Sequence, residues 1–436
     1  MKRSPKEVRD ALFSIIRDVV KNARLFVRNP GRDFTRKRKL GMETLLCMLL
    51  GMENKSLPCE LLNYFGVRPD IASVPAFVQQ RAKLLPEALE YIFQKFASMF
   101  RGDRFYNGYR LLAMDGSDVQ IPNDPTDAET FFPGTRGHKS FNVTKIGALY
   151  DLLNHTYVDA LVKGKAVANE NKLLVEMVKR SSIQEPVILV ADRNFECWDT
   201  MAQLQNKGWS YLIRVKESKG IISGLDVPDT EEFDLPVELS LTRKQSKMVK
   251  GLFKSRNHYR YIPISVRCDP LDECGEPFYT LRFRLVRLKL PNGKIEVLVT
   301  NLGPAAFPPD KLMTLYQKRW GIETSFRELK YTVGLLNFHG KKSAFIRQEI
   351  FARLIMYNFT EYITVRTPIQ KDGCKNVYML NFTAAVRICR ELFRGNADPE
   401  LVEPTIARFV SAIRPGRRFL RKLKPKEPVY FIYRAA

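Results

Sequence analysis

Residues 186–192 read PVILVAD. A proline opens the run, five apolar residues follow without a polar break, and Asp192 closes it. An unbroken apolar run of this length predicts a strand buried on both faces, as in a sheet with helices on either side. The neighbouring segments fit that reading. Upstream, YRLLAMDG at 109–116 is a short apolar strand ending in Asp115, and VTKIGALYDLLNHTYVDALV at 143–162 reads as two strands joined by a turn at LLNH. NENKLLVEMVKRS at 169–181 is an amphipathic helix with a polar start. Downstream, CWDTMAQLQNKG is a helix closed by Gly208, and SYLIRVK at 210–216 is another strand. Three strands, a helix, a strand, a helix and a strand make a mixed α/β layer.

The flanks have other patterns. Residues 1–105 carry apolar positions at helical spacing in METLLCMLLGM, PCELLNYFG and PEALEYIFQKFASMF, behind a basic arm, GRDFTRKRKL at 31–40. Residues 217–296 alternate polar and apolar, as in PFYTLRFRLVRLKL, and predict an all-β insertion of antiparallel strands. IEVLVTNL at 295–302 is a return strand, a single long helix is expected over 308–336, and another over 341–366. The tail RPGRRFLRKLKPKE, starting at Arg414, reads as extended.

Among 436 residues, 71 are Lys or Arg and 47 are Asp or Glu, a formal net charge of +24. The excess sits at the two ends: +9 over residues 1–40 and +7 over 401–436. Such a surplus points to a polyanionic partner, most simply nucleic acid. The basic segments lack the sustained apolar face of an interfacial helix, no run is long enough to span a bilayer, and no membrane partner is expected. The first residues show no secretory pattern. Seven scattered cysteines, with no C-x-x-C pair, fit a reducing, cytoplasmic setting. With four scattered histidines, metal chemistry here falls to carboxylates.

Asp115 and Asp192 are both expected at strand ends. Either alone is as well explained by a turn or a helix cap. Two in one α/β layer suit phosphodiester chemistry, because Mg²⁺ is held by one or two carboxylates plus substrate phosphates. Asp118 and Asp199 are rivals. The first is expected past the strand end, the second on a solvent-facing helix surface.

A third carboxylate comes from YQKRWGIETSFRELK, residues 316–330. On a helical wheel with Tyr316 at zero, Arg319, Glu323 and Lys330 fall at about 300°, 340° and 320°. Leu315, Ile322, Phe326 and Leu329 form a buried stripe beside that arc. Glu328 falls at about 120°, well away from it, whereas Arg327 lies near the same edge. Read alone, such a set is also a solvated face with weak pairs.

The constellation resembles the DDE transposases of the bacterial insertion-sequence 4 family. Their signature of Tyr, Arg, Glu and Lys, with two, three and six residues between, is matched by Tyr316, Arg319, Glu323 and Lys330. MDGSD at 114–118 and ADRNF at 191–195 resemble the family's two aspartate motifs. The resemblance covers roughly residues 105–340. It implies a ribonuclease-H-like core in which Asp115, Asp192 and Glu323 are catalytic and bind two Mg²⁺, with Mn²⁺ able to substitute. It further implies that Tyr316, Arg319 and Lys330 contact DNA, and that the protein nicks the element's ends and joins them to target DNA as a homodimer. The organisation expected is a helical, DNA-end-binding domain (1–105), the first part of the core (106–216), the β insertion (217–296), the second part of the core (297–366) and a helical region with a basic tail (367–436). Some relatives stack a flipped base on a tryptophan in the insertion. Here residues 217–296 contain none, and Phe253, Tyr259, Tyr261 or another aromatic could substitute.

Overall fold

The computed structural model describes residues 3–135, 139–217, 220–273, 276–290, 292–369 and 377–413. Five helices come first: α1 (Pro5–Lys21), α2 (Met42–Gly51), α3 (Leu57–Phe65), α4 (Val74–Arg81) and α5 (Glu87–Met99). Ser4 starts α1 with a capping box, its hydroxyl accepting from Glu7 N–H while the Glu7 carboxylate accepts from Ser4 N–H. Then follow β1 (Arg110–Ile121), β2 (Phe131–Phe132), β3 (Phe141–Asp151), β4 (Thr156–Gly164), α6 (Glu170–Arg180), β5 (Val187–Ala191), α7 (Trp198–Asn206) and β6 (Ser210–Val215). This is the order of strands and helices expected from the sequence, apart from the two-residue β2.

Within the sheet β4 pairs with β3 and β3 with β1, both antiparallel, while β5 lies parallel beside β1 and β6 parallel beside β5. Three antiparallel strands continued by two parallel ones give the ribonuclease-H-like mixed sheet. All five residues of β5 are buried, as a central strand covered on both faces requires.

The insertion supplies β7 (Phe233–Thr242), α8 (Lys247–Leu252), β8 (Tyr259–Tyr261), α9 (Asp269–Glu273) and β9 (Tyr279–Lys289), and its last residues begin β10 (Ile295–Thr300). It is mostly strand, with two short helices added. Its strands extend the core sheet: β10 pairs antiparallel with β6, β9 with β10 and β7 with β9, while β8 lies parallel at the far edge. Ten strands thus form one sheet among the described residues.

The expected long helix is broken. It consists of α10 (Pro309–Gln317), α11 (Trp320–Glu328) and a π turn over Leu329–Val333. Between the first two, Arg319, Gly321 and Ile322 N–H groups donate to carbonyls three residues back rather than four. A Cβ on Gly321 would stand 2.8 Å from Leu152 Cδ2, so glycine lets this turn press against the β3–β4 connection. The chain continues with α12 (Ser343–Thr364), β11 (Tyr378–Leu380), α13 (Phe382–Arg394), α14 (Pro399–Arg408) and β12 (Val410–Ala412). The tail expected to be extended, from Arg414 onward, lies outside the described residues.

Two cores cover the sheet's faces. On one, α6 and α7 pack on Leu112, Met114, Leu189, Ala191 and Ile213. On the other, Leu111, Ala113, Ile188, Val190 and Leu212 belong to a core shared with α1–α5 and α10–α14. Buried polar bonds tie the N-terminal helices to α12. Arg81 donates to Glu349 and Gln348, each at 2.8 Å, and Glu349 also accepts from the backbone N–H groups of His339 and Gly340. Arg353 donates to Glu53 O at 2.9 Å. Among the described residues no helix is long and apolar enough to cross a membrane, and Cys47, Cys59, Cys197, Cys268 and Cys389 are free thiols.

Candidate active site

β5 ends at Ala191, which pairs with Met114 of the parallel strand β1. One residue further along each strand stand Asp115 and Asp192, so the two carboxylates leave the sheet side by side. Alternation puts both on the face of Ala113 and Val190, the one covered by α11 and α12. Asp115 is therefore not at a strand end, as the sequence suggested. β1 runs on to Ile121 because β3 pairs with it as far as that residue, and only the β5 edge stops at Met114.

The same alternation removes Asp118 from the site. It faces α6, where Lys145 lies 2.9 Å from its carboxylate and Lys165 also pairs with it. Gly116 shares that face, and a Cβ there would meet Glu170 Oε1 at 2.4 Å. Asp199 does not face solvent, contrary to expectation. It is buried, accepting from Asp269 N–H at 2.8 Å and pairing with Arg267 at 3.4 Å, and so anchors α9.

Among the described residues, Asp115 Oδ1 accepts from its neighbour Gly116 N–H alone, at 2.8 Å. Asp192 caps the turn that follows it, accepting from Asn194 N–H at 2.9 Å. Burial pushes the Asp115 carboxyl up to about 6; the Gly116 N–H opposes the rise and the Asp192 charge adds to it.

The signature helices close over this pair. Arg319 is buried and donates to Glu323 Oε1 at 2.7 Å. Its guanidinium lies 5.8 Å from the centroid of the Tyr316 ring and 5.4 Å from that of Trp320. Its Nε is buried and, among the described residues, without a partner. Tyr316 is buried against the same group. Burial raises its phenol, the Arg319 and Arg214 charges lower it, and Asp192 raises it further. Lys330 sits on the π turn and donates to Asp118 O at 3.3 Å. Burial lowers its ammonium, and the Asp118 and Asp115 charges partly restore it. Asp115, Asp192, Tyr316, Arg319, Glu323 and Lys330 thus converge, each within the field or the hydrogen-bond reach of another. Glu328 points elsewhere, accepting from Tyr357 O–H of α12 at 3.2 Å, and Arg327 is exposed.

The donor set suits a hard divalent cation. It is oxygen-only, and the Asp192 charge raises the cost of ionising Asp115, which a cation between them would relieve. Among the described residues, no three acidic, histidine or cysteine side chains form a closed cage. Glu323 is instead turned to Arg319.

Two neighbours went unnoticed in the sequence. Arg214 stands next to last in β6 on the Asp192 face, and its signal was a lone cation in an apolar strand. Trp320 is 60% exposed beside Arg319, whereas Phe253 and Tyr261 pack on each other at 6.1 Å and Tyr259 on Phe278 at 6.2 Å, around the far sheet edge.

Comparison with known proteins adds three findings. Residues 106–359 match the family described as the transposase DDE domain. Transposase InsG for insertion sequence element IS4 of Escherichia coli (strain K12) is 24% identical over 348 residues, which span 76% of this chain and 71% of that protein. The cryo-EM structure of the piggyBac transposase synaptic complex with hairpin DNA aligns with a TM-score of 0.45 at 12% identity, over 95% of this chain and 87% of that one.

Proposed function

The chain belongs to the transposase DDE domain family, whose members cleave DNA and transfer strands with divalent metal ions, and from that premise we propose that Asp115, Asp192 and Glu323 are its catalytic carboxylates. The observation that carries this reading is the register: neighbouring parallel strands present Asp115 and Asp192 at the same level, beneath the helix that bears Glu323. The three would hold Mg²⁺, two ions at once, with Mn²⁺ able to replace it. A cation bound there supplies Lewis-acid activation of the attacking oxygen and neutralises charge at the scissile phosphate.

The chain's own residues do the rest. Asp115 and Asp192 stay fixed because each has one carboxylate oxygen tied to a backbone N–H. Arg319 carries a fork of donors, of which Nε is unused, and offers it to a phosphate oxygen on the carboxylate side. Tyr316 holds that fork from behind, and its hydroxyl is a single donor to the DNA strand. Lys330 supplies a point charge from the opposite edge. Residues 1–105 bind the element's ends, and two copies of the chain act together on paired ends in the cytoplasm. Residues 106–216 and 297–366 form the catalytic core around the insertion at 217–296.

The decisive experiment is metal-dependent nicking of the DNA that flanks the coding sequence, comparing wild type with Glu323→Gln. Wild-type rates in the variant would refute the assignment.

A further inference from the structure

The N-terminal helices carry a second concavity, built from residues the catalytic reading does not use. A cavity of about 750 Å³ opens between the loop 28–40 and the end of α4. Arg28, Arg32, Arg36, Arg38 and Lys83 line it, and Asp33 is the one acid among its lining residues. Among the described residues Asp33 forms no ion pair with them. It is buried, and its carboxylate accepts from Asn29 N–H at 2.9 Å and from the Asn29 side chain at 3.1 Å.

The loop is built rather than draped. Arg28 N–H donates to Lys83 O and Leu85 N–H to Phe26 O, each at 2.9 Å, which pins the loop to the end of α4. Phe34 adopts the left-handed region at φ 56°, a conformation that a bulky side chain rarely takes, and its ring lies 6.0 Å from the Lys83 ammonium. The four arginines are exposed, and among the described residues none has an acidic partner. Such a wall repels itself, and a polyanion is the ligand that relieves the repulsion. Guanidinium forks match phosphate oxygens. The cations stand on a loop rather than on a helix shaped to enter a groove, which suits backbone contact and not base readout.

We propose that this cleft grips the phosphodiester backbone of duplex DNA whatever its sequence, and so sets how firmly the protein holds DNA rather than which DNA it holds. The inference rests on the DNA-acting reading above, but its test is separable. The full chain and a variant with Arg28, Arg32, Arg36 and Arg38 all changed to Ala are titrated with two short duplexes over a range of salt. One duplex carries the element's own end and the other an unrelated sequence. The salt dependence of log Kd should become shallower by about 0.9 for each phosphate the variant no longer neutralises, roughly 3 to 4 in all, and equally for both duplexes. The variant should keep the wild-type circular dichroism spectrum and the wild-type rise in Tm on adding Mg²⁺, which report on the fold and on the carboxylate site. An unchanged slope, or a weakening confined to the element's end, would overturn the proposal. Glu323→Gln, run in parallel, reports on the catalytic reading without touching this cleft.

Discussion

Replacing Asp115 by Asn should make the metal-free protein more stable while ending its chemistry. The reason is the cost of an ionised carboxylate beside Asp192. Its carboxyl is lifted from 3.8 to about 6, chiefly by burial. A group raised in this way binds its proton more tightly when folded. Folding stability therefore falls as pH rises from 3.8 to about 6, and the full penalty is present at neutral pH. The ceiling is about 3 kcal/mol, and part-exposure brings the expectation nearer ~1.5 kcal/mol. For a chain of this length unfolding as one unit, the unfolding entropy is about 0.9 kcal/mol/K, so Tm should rise by about 2 °C. Scanning calorimetry in chelator at pH 7.5 measures it directly. The advantage should vanish when both proteins are scanned below pH 3.8, where wild-type Asp115 is protonated in either state. Adding Mg²⁺ should raise the wild-type Tm and leave the variant nearly unmoved. A variant that is less stable at neutral pH, or a gain that persists in acid, would show that the two aspartates do not share a strained site.

Other outcomes follow from the same geometry. Glu323→Gln should lose nicking yet bind DNA normally in a mobility-shift assay, whereas Glu328→Gln, whose side chain still accepts from Tyr357, should nick at close to the wild-type rate. Arg319→Lys keeps the charge but loses the fork, and end cleavage should fall by about 100-fold in a single-turnover assay. Arg81→Ala strands Glu349 in the core, and denaturant unfolding should show a loss of about 3–5 kcal/mol.

Much of this was legible in the chain. Apolar runs gave away β1 and β5, because the middle of a strand covered on both faces favours apolar residues. The helical wheel separated Glu323 from Glu328 despite the break at Arg319, since one tightened turn rotates the following helix only slightly. What stayed hidden depended on neighbours. Asp115 read as a strand end because nothing in RLLAMDG tells how far β3 will pair. Asp199 read as exposed because the segment that buries it, around Asp269, arrives 70 residues later. The insertion read as antiparallel strands with no stated partner, because β-alternation reveals strands but not the strand they will join.

The bonds that fasten α4 to α12 have a mechanical consequence. Arg81, Gln348 and Glu349 are buried, so the five N-terminal helices are not hung on a hinge at that joint. Whatever those helices hold stays at a set distance from the carboxylates. If they grip DNA as proposed, the span from grip to cut is set by the fold and not by a swing at that joint.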